Sequence, residues 1–306
     1  MGVDALVKPL IRGALGHLPF PLRRGFSRLA FSLEAGLQRW RAARLKRHGM
    51  KELDVLAYRP GVEKSECHIL GSGWSLNSSY PVIDRRKAFV IGFNFSFLKC
   101  PDPDLHFIEN ASLKNKRFFD NSLDHYFALG KFGIFDSTVL VVKNISEFKN
   151  SLKLIRLMYG DKALFVRDRH FRLFGADEVD AVIKQMMRFD GGIPQALSSS
   201  ISLVFFARLM GFKRIVVHGL DFFGPHFYGE DLKQAIYHDY DFSQVGLDQN
   251  YQPGSGLHKS AAGENGVGVS HLLYKIKAHL EEEGIELVAA TERSPSSEIL
   301  GVRMDG

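Results

Sequence analysis

The chain has 306 residues, 45% hydrophobic and 12% aromatic, so it can bury a sizeable core and falls outside the disordered and fibrous classes. Two cysteines, Cys67 and Cys100, exclude a disulfide framework and point to a reducing, cytoplasmic setting. The net charge of +6 is uneven: residues 1–50 carry +8 and the rest −2, so the body has no basic face for nucleic acid.

Residues 1–60 form a basic extension. Leu6, Leu10, Leu15, Leu18, Phe26, Leu29, Phe31, Leu37 and Trp40 alternate there with arginines from Arg12 to Arg47. The pattern predicts two amphipathic helices broken near Pro19 and Pro21. Such a segment suits the interface of an anionic membrane, each basic residue adding about 1 kcal/mol near the surface. It suits equally a helical pair packed on the domain or between subunits of a homo-oligomer. No run of 18 uncharged apolar residues and no secretory signal is visible, so the expected location is cytoplasmic, with peripheral contact at the inner membrane.

From residue 61 to 306 the pattern is that of one domain. The apolar runs CHILG, AFVIGFN, DLHFIE, TVLVVK, ALFV, RIVVHG and IELVAA read as strands buried on both faces. Residues 197–210 and 269–283 read as helices, the second stopped by Gly284. This alternation predicts an α/β fold, a Rossmann-like, mostly parallel sheet with helices on both faces. Residues 229–268 lack strand signal and predict a long loop or lid.

Four strand ends carry polar groups. The first run stops at Gly71-Ser72-Gly73-Trp74-Ser75. There the glycines can take positive φ and admit a ligand, while Ser72 and Ser75 offer hydroxyls and N–H groups to a phosphate. It lacks the third glycine of a dinucleotide fingerprint and the Gly-Lys-Ser/Thr of a Walker loop. Asn94, Asn110, and Gly219 with Asp221 end three further strands, and asparagine can read a base or ribose edge with both a donor and an acceptor. Each could instead cap its own turn.

Together these segments resemble the bacterial sialyltransferases of glycosyltransferase family 42. Gly71, Gly73, Ser75 and Leu76 match a Gly-x-Gly-x-Ser-Leu turn, Asn94 and Phe97 an Asn-x-x-Phe segment, and Asn110, Ser112 and Leu113 an Asn-x-Ser-Leu segment. A serine-bearing helix start, the stretch GFKRIVVHGLDFF and a lid histidine follow in the same order, over about residues 66–300. The resemblance implies a GT-A-like variant of the fold and transfer of a sugar from a CMP-activated donor to a glycan of lipopolysaccharide or capsule type. It implies that Ser72, Gly73, Ser75, Asn94, Asn110 and Ser199 hold the CMP moiety, that Tyr228 binds the departing phosphate, and that His258 is the general base. The chain departs from the family at Trp74, Phe223 and Ser198-Ser199-Ser200, which leaves the sugar open among sialic acid, related nonulosonic acids and Kdo.

Histidine suits removal of a proton from an acceptor hydroxyl, and His258 lies in a glycine-rich loop. Hydroxyl donors can stabilise the leaving phosphate, so no cofactor is required. A divalent metal is not expected, although Asp239 and Asp241 beside His238 in the lid offer two carboxylates, and Asp102 and Asp104 sit before a strand. His68 and His218 fall inside apolar strands and read as buried, hydrogen-bonded side chains. The alternatives are an ATP-dependent enzyme resembling 6-hydroxymethylpterin pyrophosphokinases, which shares the glycine turn, and a nucleotide-binding protein without chemistry.

Overall fold

The structure is a computed structural model and describes residues 20–56, 64–100, 102–109, 136–143, 163–173, 175–189, 191–224 and 266–302. Helix α1 (Phe20–Arg47) starts where the proline break is expected, with Pro21 in its first turn, where a missing N–H costs nothing. It runs unbroken to a glycine stop: Gly49 has φ 81° and Met50 N donates to Leu45 O at 3.2 Å.

Strands follow as β1 (Lys51–Glu52), β2 (Glu66–Leu70), β3 (Ala88–Phe93), β4 (Leu105–Glu109), β5 (Val139–Lys143) and β6 (Ala163–Phe165). Then come β7 (Asp168–His170), β8 (Ile193–Gln195), β9 (Arg214–His218) and β10 (Glu286–Ala289). Eight of them form one parallel sheet in the order β1-β6-β5-β4-β3-β2-β9-β10. All seven runs predicted as strands are in it. The expected α/β class holds, a Rossmann-like sheet with helices packed on it.

Why these runs pair in parallel is visible in their burial. Every residue of β2 and β3 is buried, so both faces need covering, which crossover helices supply. Short helix α2 (Leu76–Ser79) follows the glycine turn, and α3 (Val179–Met187) precedes β8. Helix α4 (Ser199–Leu209) buries Ile201, Leu203, Val204, Phe205 and Phe206 together with Ser199, Ser200 and Ser202, so its first nine residues are covered all round, as in an interior helix. Phe206 meets Phe107 of β4 edge-to-face, with ring centroids 5.0 Å apart. Helix α5 (Val269–Glu282) buries Val269, Leu272, Leu273, Ile276 and Leu280 on one face and ends at Gly284, φ 68°. A final turn, α6 (Ser297–Leu300), packs against α5 and β10.

Three strands were not anticipated. β1 pairs with β6, and Leu53 N donates to Phe165 O, so residues just before position 60 already belong to the sheet. β7 and β8 form a separate two-stranded parallel pair.

Candidate functional site

The sheet changes direction at β2. Its successors β3 to β6 extend one way and β9 with β10 the other, so the carboxyl ends of β2 and β9 border the topological switch point where open α/β sheets bind ligands. The turn Gly71–Ser75 lies there, directly beside Gly219–Asp221.

Close approach of these two segments explains the glycines. The strand ladder continues past both strands, with Gly71 N donating to His218 O at 2.8 Å and Gly73 N to Gly219 O at 2.9 Å. A Cβ on Gly71 would lie 2.8 Å from His218 O, and one on Gly73 would lie 2.5 Å from an Asp221 carboxylate oxygen. Positive φ is found at Gly219, 58°, and not at Gly71 or Gly73. The expected positive φ is thus absent at those two glycines, and their missing side chains admit the neighbouring chain segment.

Asp221 closes this junction. Its Oδ2 accepts from Ser75 N at 2.7 Å, and its Oδ1 accepts from the hydroxyls of Ser75 and Ser294, each at 2.7 Å. Burial pushes the Asp221 carboxyl above its usual range, and the donors from Ser75 and Ser294 offset part of that rise. The Ser75 N–H, expected to be open to a phosphate, is thus engaged by Asp221, and Asp221 itself acts as a clamp on the turn.

A second tie lies beneath the turn. The Nδ1 of His68 on β2 is 2.8 Å from Nε2 of His218 on β9, and His218 Nδ1 is 3.0 Å from the Ser79 hydroxyl in α2. His68 Nε2 lies 3.0 Å from Glu66 Oε1. One proton serves each imidazole–imidazole contact, because two imidazoliums would leave no acceptor between them. The two histidines are buried and hydrogen-bonded, as expected, and their partners are each other.

Farther along the same edge, α4 begins. Ser198 caps it, its hydroxyl accepting from Ile201 N at 3.4 Å. Ser199 accepts a 2.8 Å hydrogen bond from Lys143 Nζ at the end of β5, and Lys143 is only 1% exposed. Leu197, just before the cap, has φ 52°, a strained value for a branched side chain. Sequence reasoning passed over Lys143; its signal was a charged residue closing the apolar run TVLVVK.

Of the sequence-derived candidates, Gly71, Ser72, Gly73, Ser75, Gly219 and Asp221 meet at the β2/β9 end, and Ser199 stands at the β5 end. Between them Asn94 opens the turn after β3, where only its backbone is described. Asn110, Tyr228, His258, Asp239 and Asp241 lie outside the described residues. Asp104 immediately precedes β4 at the opposite edge, where it accepts from Val90 N at 2.8 Å and pairs with Lys64. Among the described residues no three His, Cys, Asp or Glu side chains gather as ligands of one metal ion. Phe223, after Asp221, is 51% exposed at the edge.

No protein-family model matches the sequence. No curated protein matches it either. Among solved structures, the chain is similar to the sialyltransferase CstII from Campylobacter jejuni in complex with the substrate analogue CMP-3FNeuAc, at 13% identity and a TM-score of 0.45, over 78% of this chain and 86% of that one. It is similar to CST-II in complex with a trisaccharide acceptor and CMP, at 13% identity and 0.42, over 78% and 85%. It is also similar to the monofunctional alpha-2,3-sialyltransferase Cst-I from Campylobacter jejuni, at 13% identity and 0.45, over 81% and 83%. Scores at this level say nothing of substrate or reaction, and the fold rests on the chain's own sheet topology.

Proposed function

We propose that the chain is a glycosyltransferase that moves sialic acid, a related nonulosonic acid or Kdo from a CMP-activated donor to a glycan acceptor. The observation that carries this is the placing of a glycine-serine turn, an asparagine and a serine helix start along one carboxyl edge of a parallel sheet. From β2 to β5 that edge spans three strand spacings, about 14 Å, the scale of an extended nucleotide-sugar.

In this reaction the acceptor hydroxyl attacks the anomeric carbon, the bond from that carbon to the phosphate oxygen breaks, and CMP leaves with inversion. His258 takes the hydroxyl proton and Tyr228 donates to the leaving phosphate. Ser72 and Gly73 of the turn, which Asp221 holds through Ser75, and the asparagines bind the nucleotide, and Lys143 beside Ser199 supplies positive charge at the start of α4. The chemistry needs no resident cofactor.

Helix α1 is the proposed membrane contact. It buries Gln38, Ala42 and Leu45 against the body and leaves Leu33, Leu37 and Trp40 exposed on the opposite face. Arg44 lies over the Trp40 ring at 5.5 Å. An apolar stripe set among arginines complements an anionic bilayer. No helix among the described residues is long and apolar enough to cross one.

The deciding experiment is calorimetry with CMP, UDP and ATP–magnesium, followed by an assay of CMP release from CMP-sugars. Binding of CMP and its release in the presence of a glycan acceptor support the proposal. Binding of ATP–magnesium without CMP would replace it with a kinase, and His258→Ala at wild-type turnover would remove the proposed base.

A further inference from the structure

At the other end of the sheet lies a cavity of about 400 Å³ whose lining contains Arg39, Arg167, Arg169 and Arg188. They come from four places: Arg39 from α1, Arg167 from the turn after β6, Arg169 from β7 and Arg188 from the end of α3. The cavity shares no residue with the candidate nucleotide edge: it lies beyond β6, one strand spacing from the Lys143–Ser199 end of that edge and four, about 19 Å, from the glycine turn at β2.

Ordinary packing does not call for four arginines in the lining of one hollow. Guanidinium is cationic at any physiological pH, and like charges brought together repel. Among the described residues two carboxylates lie close by, and both are shared. Glu52 accepts from Arg167 Nε at 2.5 Å, and its other oxygen is 2.6 Å from Lys46 Nζ. Asp168, also in the lining, is 1% exposed and has Oδ2 3.1 Å from His170 Nε2. Among the described residues the cavity's four arginines therefore outnumber the carboxylates.

Its cations are also held in place. The Arg169 guanidinium lies 5.3 Å from the Phe171 ring centroid and 5.4 Å from that of Phe189, and those two rings meet edge-to-face at 5.8 Å. Arg167 is fixed by Glu52. A planar guanidinium fork matches the paired oxygens of a phosphate or a carboxylate, and several cations around one hollow favour the more highly charged phosphate. Arg39 and Arg188, nearer the solvent, can close on the remaining oxygens.

We infer that this cavity is a binding site for a phosphomonoester or diphosphate group, separate from the site of the proposed nucleotide. The inference does not depend on the proposed transferase activity. Two sources share the chemistry: a soluble phosphate-bearing molecule, or the headgroup of a lipid in a membrane that meets the opposite face of α1.

The test uses the full chain and pyrophosphate as the probe, by calorimetry at low ionic strength. Saturable binding is expected, falling as salt is added. Arg39 and Arg188 have exposed or half-exposed surroundings, so Arg39→Gln and Arg188→Gln leave the fold intact. Each should weaken pyrophosphate on the order of tenfold, the double variant should abolish binding, and CMP affinity should not change. Undetectable pyrophosphate binding in the millimolar range, or equal binding by the double variant, would overturn the site. CMP failing to bind either protein would count against the transferase alone. Co-sedimentation with phosphatidylcholine vesicles with and without phosphatidic acid separates the sources. Loss of phosphatidic-acid binding in the double variant, reproduced in the wild type by added pyrophosphate, assigns a headgroup. Vesicle binding that ignores both changes assigns a soluble phosphate.

Discussion

Asp221 grips Ser75 twice, its carboxylate accepting from the Ser75 backbone N–H and from the Ser75 hydroxyl, both at 2.7 Å, across 146 residues of sequence. The glycine turn is thereby fixed to the end of β9. Asp221→Ala strands three donors and should lower folding stability by about 3 kcal/mol, read by urea unfolding. Asp221→Asn should show the pH dependence. A carboxyl raised by burial gives stability that is full below the unfolded pKa and is lost as pH rises through the folded one. The stability gap between wild type and Asp221→Asn should therefore be widest in acid and narrow as pH rises from the ordinary aspartate value. A gap that widens instead would show that the hydrogen bonds outweigh burial.

Gly71→Ala should part the ends of β2 and β9, because its new methyl group meets carbonyl oxygens of His218 and Gly219. Backbone atoms in a paired ladder yield little, so a loss of about 2–3 kcal/mol is expected. Gly36→Ala, at a helical site with open space around it, serves as the control and should not destabilise.

The buried pair His68–His218 should behave as one unit. His218→Leu removes the acceptor or donor for both His68 and Ser79 and should cost about 2 kcal/mol. The double change His68→Leu with His218→Leu should cost less than the two single changes together, by on the order of 1 kcal/mol. Strict additivity in a double-mutant cycle would mean that the 2.8 Å contact contributes nothing.

Cys67 and Cys100 should resist alkylation in the folded protein. Both are 0% exposed, and burial pushes the Cys67 thiol up and that of Cys100 to about 11. Iodoacetamide at pH 8 should label neither until denaturant is added, as mass spectrometry would report. Rapid labelling of either without denaturant would place that thiol at the surface.

Membrane contact through α1 predicts that Leu37→Glu with Trp40→Glu abolishes flotation with anionic liposomes and leaves thermal stability within about 0.5 kcal/mol of wild type, since both side chains are exposed. Flotation by the double variant would assign the exposed stripe to another partner.

What the sequence discloses here follows from range. The seven anticipated strands lie in apolar runs, and the ends of α4 and α5 carry their own caps, so they are legible locally. β1, β7 and β8 are two or three residues long and include Lys51, Arg169 and Pro194, so their pairing is decided by neighbours. The candidate edge was legible as a set of polar strand ends. Its wiring was not, since Asp221 to Ser75, His218 to His68 and Lys143 to Ser199 join residues 146, 150 and 56 positions apart. Nothing in a strand's composition says that β9 inserts beside β2. The turn's own letters also hide a packing role: Gly71 and Gly73 read as room for a ligand and also make room for the end of β9 and the residues after it.

The stop at Gly49 leaves only His48, Gly49 and Met50 between α1 and β1, and β1 is stitched to β6. So short a tether cannot swivel, and the helix steers the sheet as a keel steers a hull. A bilayer that captured Leu33, Leu37 and Trp40 would dictate the angle at which the carboxyl edge faces that surface, and with it the direction from which an anchored acceptor must approach.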